Sequence, residues 1–536
     1  MDTILILDFG SQTTQLIGRR IRDMGVYTEI LPGDSAIDEA LQKQAEKGHK
    51  VKGLILSGGP ESVYVPGSPA PDKKIYGLEI EGKPMPLLGI CYGIQRMTQD
   101  LGGKVEALPE REYGRKKVIL MSGIGAYVGA NNYSPLHMPP DFTAWMSHGD
   151  TITALAPGFI QTGTSETGYP AILAHESKPW FGLQFHPEVT HCEHGDEILA
   201  SFAFDLCHAE KGWDMEHYIA EIRSSLPQQV GASPVLLLIS GGVDSTVAGA
   251  LLLKALDPGL VHLMYVDNGL MRKNETMQVE ESLKRLGAKH LHIIHAEDEF
   301  LSALKGLSEP EDKRKTIGDL FIKVQEREVA RLGLPDTYYL AQGTLYTDLI
   351  ESGKGVGKKA HVIKTHHNVA SPLVAAKRDA GRIIEPLAGL YKDEVRRLGR
   401  LLNVAEDVVR RHPFPGPGLG VRILGEVTKE KCDILREADA IYIDELKKRN
   451  LYDAIWQAFA VLTPVRTVGV AGDIRKYGWT VALRAVTSSD GMTADVYPFN
   501  MQDLLEISTL ITNAVPEVGR VVYDISSKPP ATIEWE

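Results

Sequence analysis

Two short glycine-containing turns constrain this chain most, because each one joins an apolar strand-like run to a helix-like run. The turn Gly89–Gly93 (GICYG) follows the apolar run Pro86–Ile90 and precedes a helix-like run at Ile94–Leu101. The turn Ser240–Thr246 (SGGVDST) follows the apolar run Pro234–Ile239. Short unbroken apolar runs are typical of buried parallel strands. The sequence therefore predicts two separate α/β units.

Length and a change in composition indicate a further division. A chain of 536 residues is too long for one hydrophobic core. Three prolines and three glycines in Arg411–Arg422 (RHPFPGPGLGVR) exclude a helix or central strand there. On composition alone this segment is a linker, and the helical and alternating apolar runs after it indicate a small α+β domain. We predict an α/β fold class with domains at residues 1–210, 211–411 and 412–536.

Composition limits the class of protein. The net charge is −12, which disfavours a nucleic-acid-binding protein, because such proteins need a basic surface. The sequence has no basic N-terminal leader and no apolar run near the roughly 20 residues of a membrane helix. Its four scattered cysteines contain no CxxC pair and indicate a reducing compartment. We therefore expect a cytoplasmic protein with neither a nucleic-acid nor a membrane partner.

Cys91 has the sequence context of a nucleophile elbow. The flanking glycines permit a sharp turn, and a helix N-terminus lowers the pKa of a thiol. The alternative is a buried core cysteine, which is common. In GLQFHPE, however, His186 and Glu188 are two residues apart in an extended segment and point to the same side. Glu188 can then orient His186, and His186 can deprotonate Cys91, which predicts a catalytic triad.

These motifs resemble the triad of the class I glutamine amidotransferases. The segment Leu56–Pro60 (LSGGP) is similar to the oxyanion loop of that family, which implies that Gly59 and Tyr92 are backbone donors. The segment Ser147–Asp150 (SHGD) is similar to a glutamine-site loop. The resemblance covers the first predicted domain. It implies a cysteine thioester with glutamine, release of ammonia, and hydrolysis to glutamate.

The second turn offers backbone N–H groups, hydroxyl groups and a helix N-terminus to an anion. It lacks the Lys-Ser/Thr pair of a Walker A loop. It resembles the pyrophosphate loop of N-type ATP pyrophosphatases, which implies a Rossmann-like domain that cleaves ATP between the α- and β-phosphates with Mg²⁺. Asp244 is the candidate metal ligand, and no organic prosthetic group is expected. The residues implied in ATP binding are Ser240, Gly241, Gly242, Val243, Asp244, Ser245 and Thr246.

The loop leaves the adenylated substrate open, because NAD, asparagine and argininosuccinate synthetases and tRNA-thiolating enzymes share it. With an amidotransferase domain in front, the whole chain resembles the GMP synthase family. That resemblance implies glutamine, ATP and xanthosine monophosphate (XMP) as substrates, and a homodimer formed through the C-terminal domain. It also makes RHPFPGPGLGVR a family signature, in which Arg422 is a candidate for the XMP phosphate. The residues implied in XMP binding are Arg272, Gln457, Lys528 and Glu534.

The segment Ile363–Val369 (IKTHHNV) is similar to the lid of that family over ATP and XMP. The implied lid residues are Lys364, His366 and His367. A lid fits the chemistry because an adenylated intermediate must be shielded from water, although a metal site or a surface loop would also explain paired histidines. A non-enzymatic nucleotide-binding scaffold is a further alternative, which the intact triad and loop disfavour.

Overall fold

The computed structural model describes residues 1–121, 139–346, 348, 372–471, 474–488 and 493–536. These residues form two compact units. The first comprises Met1–Tyr218, and the second comprises Ile219–Tyr346 with the described residues from 372 onward. The predicted three-domain division stays a prediction. In the described part of the chain, no helix combines the length and apolarity needed to cross a bilayer.

The first unit is built on one mixed sheet with helices packed against it. Its helices are α1 (Thr14–Asp23), α2 (Ile37–Glu46), α3 (Tyr92–Asp100), α4 (Gly195–Ala200) and α5 (Met215–Val230), the last crossing the sequence boundary between the units, with a 3₁₀ turn at Lys73–Gly77 and a π-helical turn at Ser201–Leu206. Its strands are β1 (Asp2–Asp8), β2 (Tyr27–Pro32), β3 (Lys50–Leu56), β4 (Glu79–Ile80), β5 (Lys83–Pro84), β6 (Leu87–Ile90), β7 (Lys104–Leu120), β8 (Asp141–Ala154), β9 (Phe159–Ser165), β10 (Pro170–His175) and β11 (Trp180–Leu183).

The order of these strands places the two halves of the triad together. Among the described residues the main sheet runs β2-β1-β3-β6-β11-β10-β9-β7-β8. The first five strands in this order are parallel to one another. Ile90, the last residue of β6, lies opposite Leu183, the last residue of β11. The carboxyl ends of parallel strands meet at one edge. Cys91 and the segment that leads to His186 therefore leave the sheet side by side.

Glycine is required where α3 packs on this sheet. A Cβ at Gly93 would lie 2.2 Å from the carbonyl oxygen of Leu56, and a Cβ at Gly182 would lie 2.0 Å from Ile94 Cδ1. Any side chain at either position would push α3 away from the strands. The close approach fixes the N-terminus of α3 at the edge of the sheet.

The second unit contains a parallel sheet and an antiparallel-rich sheet. Its helices are α6 (Val243–Ala255), α7 (Glu275–Arg285), α8 (Glu297–Leu304), α9 (Pro310–Leu332), α10 (Pro372–Asp379), α11 (Lys392–Leu401), α12 (Glu406–Val409), α13 (Lys429–Lys448) and α14 (Met501–Ala514), with 3₁₀ turns at Gly418–Val421 and Tyr452–Ala454. Its strands are β12 (Val235–Ile239), β13 (Val261–Asp267), β14 (His290–His295), β15 (Tyr339–Ala341), β16 (Ile383–Ile384), β17 (Gln457–Ala471), β18 (Ile474–Thr487), β19 (Asp495–Val496) and β20 (Val518–Tyr523).

Both sheets of this unit share one hydrophobic core. The described strands of the parallel sheet run β14-β13-β12-β15-β16, the pattern of a doubly wound nucleotide-binding fold. In the other sheet, β18 pairs with β17, β19 and β20. Buried Leu236 and Phe300 of the first layer belong to the same cluster as Tyr442 and Leu483 of the second. The predicted α/β fold class is confirmed.

Candidate functional site

The triad predicted from sequence is assembled in the first unit. His186 Nδ1 lies 2.7 Å from Glu188 Oε1, so the carboxylate orients the ring, as the spacing of two residues predicted. The backbone N–H of His186 donates to the carbonyl of Trp145 at 3.0 Å. A Cβ at Gly58 would lie 2.9 Å from His186 Cε1. The glycine therefore makes room for the imidazole.

Cys91 occupies a strained turn. It precedes the first residue of α3 and has φ +51° and ψ −106°, a backbone conformation that residues other than glycine rarely adopt. Its backbone N–H donates to the carbonyl of Leu183 at 2.7 Å, which ties the turn to β11. This is the geometry of a nucleophile elbow, in which the side chain stands at a helix N-terminus.

Electrostatics favour a charged imidazole in this site. Burial lowers the pKa of His186, but the negative charges of Glu188 and Cys91 and the hydrogen bonds to both outweigh it and raise that pKa well above 6.5. A protonated His186 stabilises a thiolate on Cys91. It can also give its proton to a departing amine.

Two groups predicted as oxyanion donors lie beside this turn. A Cβ at Gly59 would lie 3.1 Å from Tyr92 Cγ and 2.9 Å from the carbonyl oxygen of Phe9, so Gly59 is in close contact with Tyr92. The N–H of Tyr92 is in the first turn of α3, where helices leave N–H groups without an intrahelical acceptor. Their joint role toward an oxyanion stays a prediction.

The segment similar to a glutamine-site loop also borders Cys91. Cys91 Sγ lies 3.8 Å from the carbonyl oxygen of Ser147. Gln95 on α3 donates to the carbonyl of Asp150 at 3.0 Å and to the side chain of Gln184 at 3.1 Å. Gln95 was not among the predicted residues. Its position one turn after the elbow was the available signal.

The second glycine-rich turn lies at the N-terminus of α6 in the second unit. Gly241 has φ +79°, and Gly242 precedes the first residue of α6. Ser245 Oγ accepts the backbone N–H of Ser240 at 3.1 Å, and Thr246 Oγ1 donates to the carbonyl of Gly242 at 2.9 Å. These bonds fix the shape of the turn at the N-terminus of α6, where a helix offers N–H groups to an anion.

Asp244 and Gly241 have charged partners that the sequence did not reveal. Lys392 at the start of α11 donates to Asp244 Oδ1 at 2.6 Å. Arg411, the first residue of the Pro/Gly-rich segment, donates to the carbonyl of Gly241 and to Glu275 Oε1, both at 3.0 Å. The sequence had singled out that segment, but not its contact with the loop.

A metal at Asp244 would have to be shared with phosphates rather than held by the protein alone, and this stays a prediction. In the described ranges no three His, Cys, Asp or Glu residues are grouped so as to hold a metal ion. Mg²⁺ commonly takes one or two carboxylates together with substrate phosphates. One carboxylate beside an anion-binding turn is compatible with that pattern.

Three of the four residues predicted to bind XMP lie in one cluster. Gln457 Nε2 donates to Glu534 Oε1 at 2.7 Å. Arg422 makes a bidentate ion pair with Glu534, with Nη2 to Oε1 at 2.8 Å and Nε to Oε2 at 3.1 Å. The guanidinium groups of Arg422 and Arg272 lie 4.9 and 4.8 Å from the centre of the Phe414 ring. Arg422 is fully buried and pairs with Glu534, and its role toward the XMP phosphate stays a prediction.

Arg272 retains hydrogen-bonding capacity. Its Nε lies 3.4 Å from Asp439 Oδ2, but Nε and Nη2 are buried without a hydrogen-bond acceptor among the described residues. Buried donors without acceptors are costly. An anionic ligand would satisfy them, which supports the predicted role of Arg272.

The segment that carries Lys528 and Glu534 is anchored on α9. The backbone N–H of Lys528 donates to the carbonyl of Ala494 at 2.8 Å. Fully buried Lys313 contacts the Glu536 carboxylate, and its Nζ donates to the carbonyl of Ile423 at 2.9 Å. This anchor was not predicted. The predicted lid residues Lys364, His366 and His367 lie outside the described residues.

Comparisons with known proteins cover the whole chain. The family model "Glutamine amidotransferase class-I" matches residues 5–206, and the model "GMP synthase C terminal domain" matches residues 444–535. A protein of Aquifex aeolicus named GMP synthase [glutamine-hydrolyzing] is 47% identical over 535 residues, 99% of each chain. Proteins of the same name from Brucella suis and Brucella ovis are 48% identical, over 100% of this chain and 99% of theirs.

Proposed function

The chain belongs to the family of glutamine-hydrolysing GMP synthases, and we propose that its two units divide that reaction between Cys91 and the Ser240–Thr246 loop. The first unit releases ammonia from glutamine. The second uses ATP to adenylate XMP, and ammonia then displaces AMP to give GMP. The observation that carries this proposal is the buried Cys91, His186 and Glu188 arrangement, in a chain whose Ser240–Thr246 turn is closed by its own hydrogen bonds.

Glutamine hydrolysis follows from the protonation state of the triad. The Cys91 thiolate attacks the side-chain amide carbon, and the N–H groups of Gly59 and Tyr92 stabilise the oxyanion. Protonated His186 gives its proton to the leaving ammonia, which leaves a thioester. Neutral His186 then deprotonates a water molecule, which hydrolyses the thioester to glutamate.

Amination requires an activated oxygen on XMP. The base oxygen attacks the α-phosphate of ATP, and pyrophosphate leaves on the N–H groups of the loop at Gly241 and Gly242. Ammonia attacks the carbon that carries the adenylate, and AMP departs. Arg272 and the Glu534–Gln457 pair hold XMP, with Lys528 on the phosphate side. Lys364, His366 and His367 form the lid that excludes water from the adenylated intermediate.

Mg²⁺ is the proposed cofactor. It would be held by Asp244 together with the ATP phosphates, and when bound it supplies charge neutralisation on the departing pyrophosphate. Its requirement is measured directly. After chelation of divalent metals, pyrophosphate release should stop, while glutamine hydrolysis by the first unit should persist at its basal rate.

The division of labour is tested with Cys91→Ala. This variant should lose glutamine-dependent GMP synthesis but retain synthesis from added ammonium, because the ammonia source is then external. Asp244→Asn is the reciprocal variant and should lose synthesis from either nitrogen source. Loss of both activities in Cys91→Ala, in a folded protein, would contradict separable sites.

The acceptor is tested with the same assay. With ATP and glutamine, XMP should yield GMP, AMP and pyrophosphate. Deamido-NAD is the control, because NAD synthetases share the ATP loop. Product from deamido-NAD, and none from XMP, would overturn the proposal.

We also propose a homodimer through the C-terminal sheet. Apolar side chains are exposed on neighbouring strands, with Val470 79% and Tyr477 61% exposed. Val468, on β17, pairs directly with Tyr477 on β18. A contiguous exposed apolar patch marks an interaction surface, and a two-fold axis pairs one patch with its copy. The molar mass measured by light scattering should be that of a monomer for Val470→Asp. Met277→Asp, at an exposed position on α7, should leave the dimer intact.

The proposed location is the cytoplasm. All four cysteines, Cys91, Cys192, Cys207 and Cys432, are buried and unpaired. A free catalytic thiol is best preserved in a reducing compartment. Fractionation of the source cells, with the protein detected by antibody, checks this proposal.

A further inference from the structure

Thr13 has a hydrogen-bonding arrangement that its place in the fold does not require. It is the residue immediately before α1, a position where Thr side chains usually cap the helix. Here its side chain makes no capping hydrogen bond to α1. Instead, Thr13 Oγ1 donates to Glu188 Oε1 at 2.6 Å. The hydroxyl group is therefore directed at the triad carboxylate, and its oxygen also lies 3.4 Å from His186 Nδ1.

A second hydroxyl group, on Ser11, lies beside Thr13. Ser11 Oγ lies 2.9 Å from Thr13 Oγ1 and also accepts the backbone N–H of Thr13 at 3.2 Å. An ionised carboxylate can only accept, so the single hydroxyl proton of Thr13 goes to Glu188. Ser11 must then donate to Thr13. The result is a chain of donors from Ser11 through Thr13 to Glu188.

Both donors to Glu188 use the same oxygen. Oε1 accepts from Thr13 and from His186 Nδ1, whereas Oε2 is buried with no hydrogen-bond partner in the part of the chain that the structure describes. The Glu188 side chain is fully buried. Without the Thr13 hydroxyl, His186 would be the sole donor to Oε1, and the carboxylate would be held on one side only.

We propose that Thr13 is a positioning residue for glutamine hydrolysis, holding Glu188 against His186 and reducing the negative charge that Glu188 presents to the ring. This inference rests on the proposed roles of the triad. The titratable groups that face His186 are Glu188 and Cys91. Since a donor to Glu188 offsets part of its charge, loss of the hydroxyl should raise the pKa of His186 further.

The test is the pH profile of glutamine hydrolysis in the full-length protein. Thr13→Val keeps the shape of the side chain but removes the hydroxyl. The value of kcat/KM for glutamine should fall at least about tenfold, the lower end expected for one hydrogen bond to a charged group. The alkaline limb should move up by about half a pH unit, because a protonated His186 persists to higher pH. Thr13→Ser should restore both quantities.

Two controls separate this role from general damage. Thr190→Val makes the same substitution at an exposed residue two positions after Glu188, and should leave the profile unchanged. The thermal unfolding transition of the first unit, which carries Thr13, reports whether each variant is folded. If Thr13→Val is poorly folded, Thr13→Ala against Thr13→Ser makes the same comparison.

An unchanged profile in Thr13→Val would overturn the proposal. So would equal losses in Thr13→Val and Thr13→Ser, because the hydroxyl would then be irrelevant. Failure of the proposed function gives a different result: Cys91→Ala would keep hydrolysing glutamine. The two failures are therefore distinguishable in one set of assays.

Discussion

Replacement of Glu534 by alanine should destabilise the second unit and leave the first unchanged. Arg422 is fully buried, and Glu534 is 18% exposed. Removing one partner of a buried ion pair costs about 3–5 kcal/mol, because the other charge is left uncompensated. The rings of Phe459 and Phe414 lie 4.1 and 4.9 Å from the Arg422 guanidinium and offset part of that charge. We therefore expect a loss near the lower bound, about 3 kcal/mol.

Differential scanning calorimetry measures this loss for each unit separately. The unfolding transition that moves to higher temperature when ATP is added belongs to the second unit, since a ligand stabilises the folded state that binds it. For a unit of this size, 3 kcal/mol corresponds to a fall in Tm of about 6 °C, from roughly 2 °C per kcal/mol. The transition of the first unit should not move.

A double variant tests whether the cost arises from the unpaired charge. Arg422→Met combined with Glu534→Leu replaces both ions by apolar side chains and should recover most of the stability. GMP synthesis should stay impaired, because Glu534 is proposed to contact XMP. A loss below about 1 kcal/mol in Glu534→Ala, the size of an exposed ion pair, would contradict a buried, uncompensated Arg422. An equal shift of both transitions would refute it as well.

Three further predictions concern the other parts of the site. Lys313→Met should raise the KM for XMP about tenfold at unchanged KM for ATP in the ammonium-dependent assay, because it removes the buried anchor of Glu536. Gly241→Ala should weaken ATP binding more than Gly242→Ala. At Gly241 φ is +79° and a Cβ would lie 3.1 Å from a neighbouring side chain, whereas φ is negative at Gly242. Isothermal titration with ATP compares the two variants. The pKa of His186 is raised above 6.5, so its contribution to stability is fully present below pH 6.5 and is lost as the pH rises through the folded-state pKa. Urea unfolding of the first unit should show that fall, and His186→Gln should remove it.

The local parts of the site could be predicted because their geometry is set within a few residues. The separation of two residues places His186 and Glu188 on one side of an extended segment, and GICYG specifies its own turn. The same holds for the Ser240–Thr246 loop, which forms between one strand and one helix. The class I amidotransferase and GMP synthase resemblances are confirmed, because relatives match the chain over its whole length.

Which distant side chains complete these sites depends on how the chain folds. Three contacts join residues that are far apart in the sequence. They are Thr13 with Glu188, 175 residues apart, Lys392 with Asp244, 148 apart, and Lys313 with Glu536, 223 apart. No local periodicity encodes such pairs, because they depend on strand order and on where each helix begins. The reactive groups and the turns that present them could therefore be identified from local sequence. The fold determined which charges and hydroxyl groups surround them, since burial and proximity exist only after the sheets have assembled.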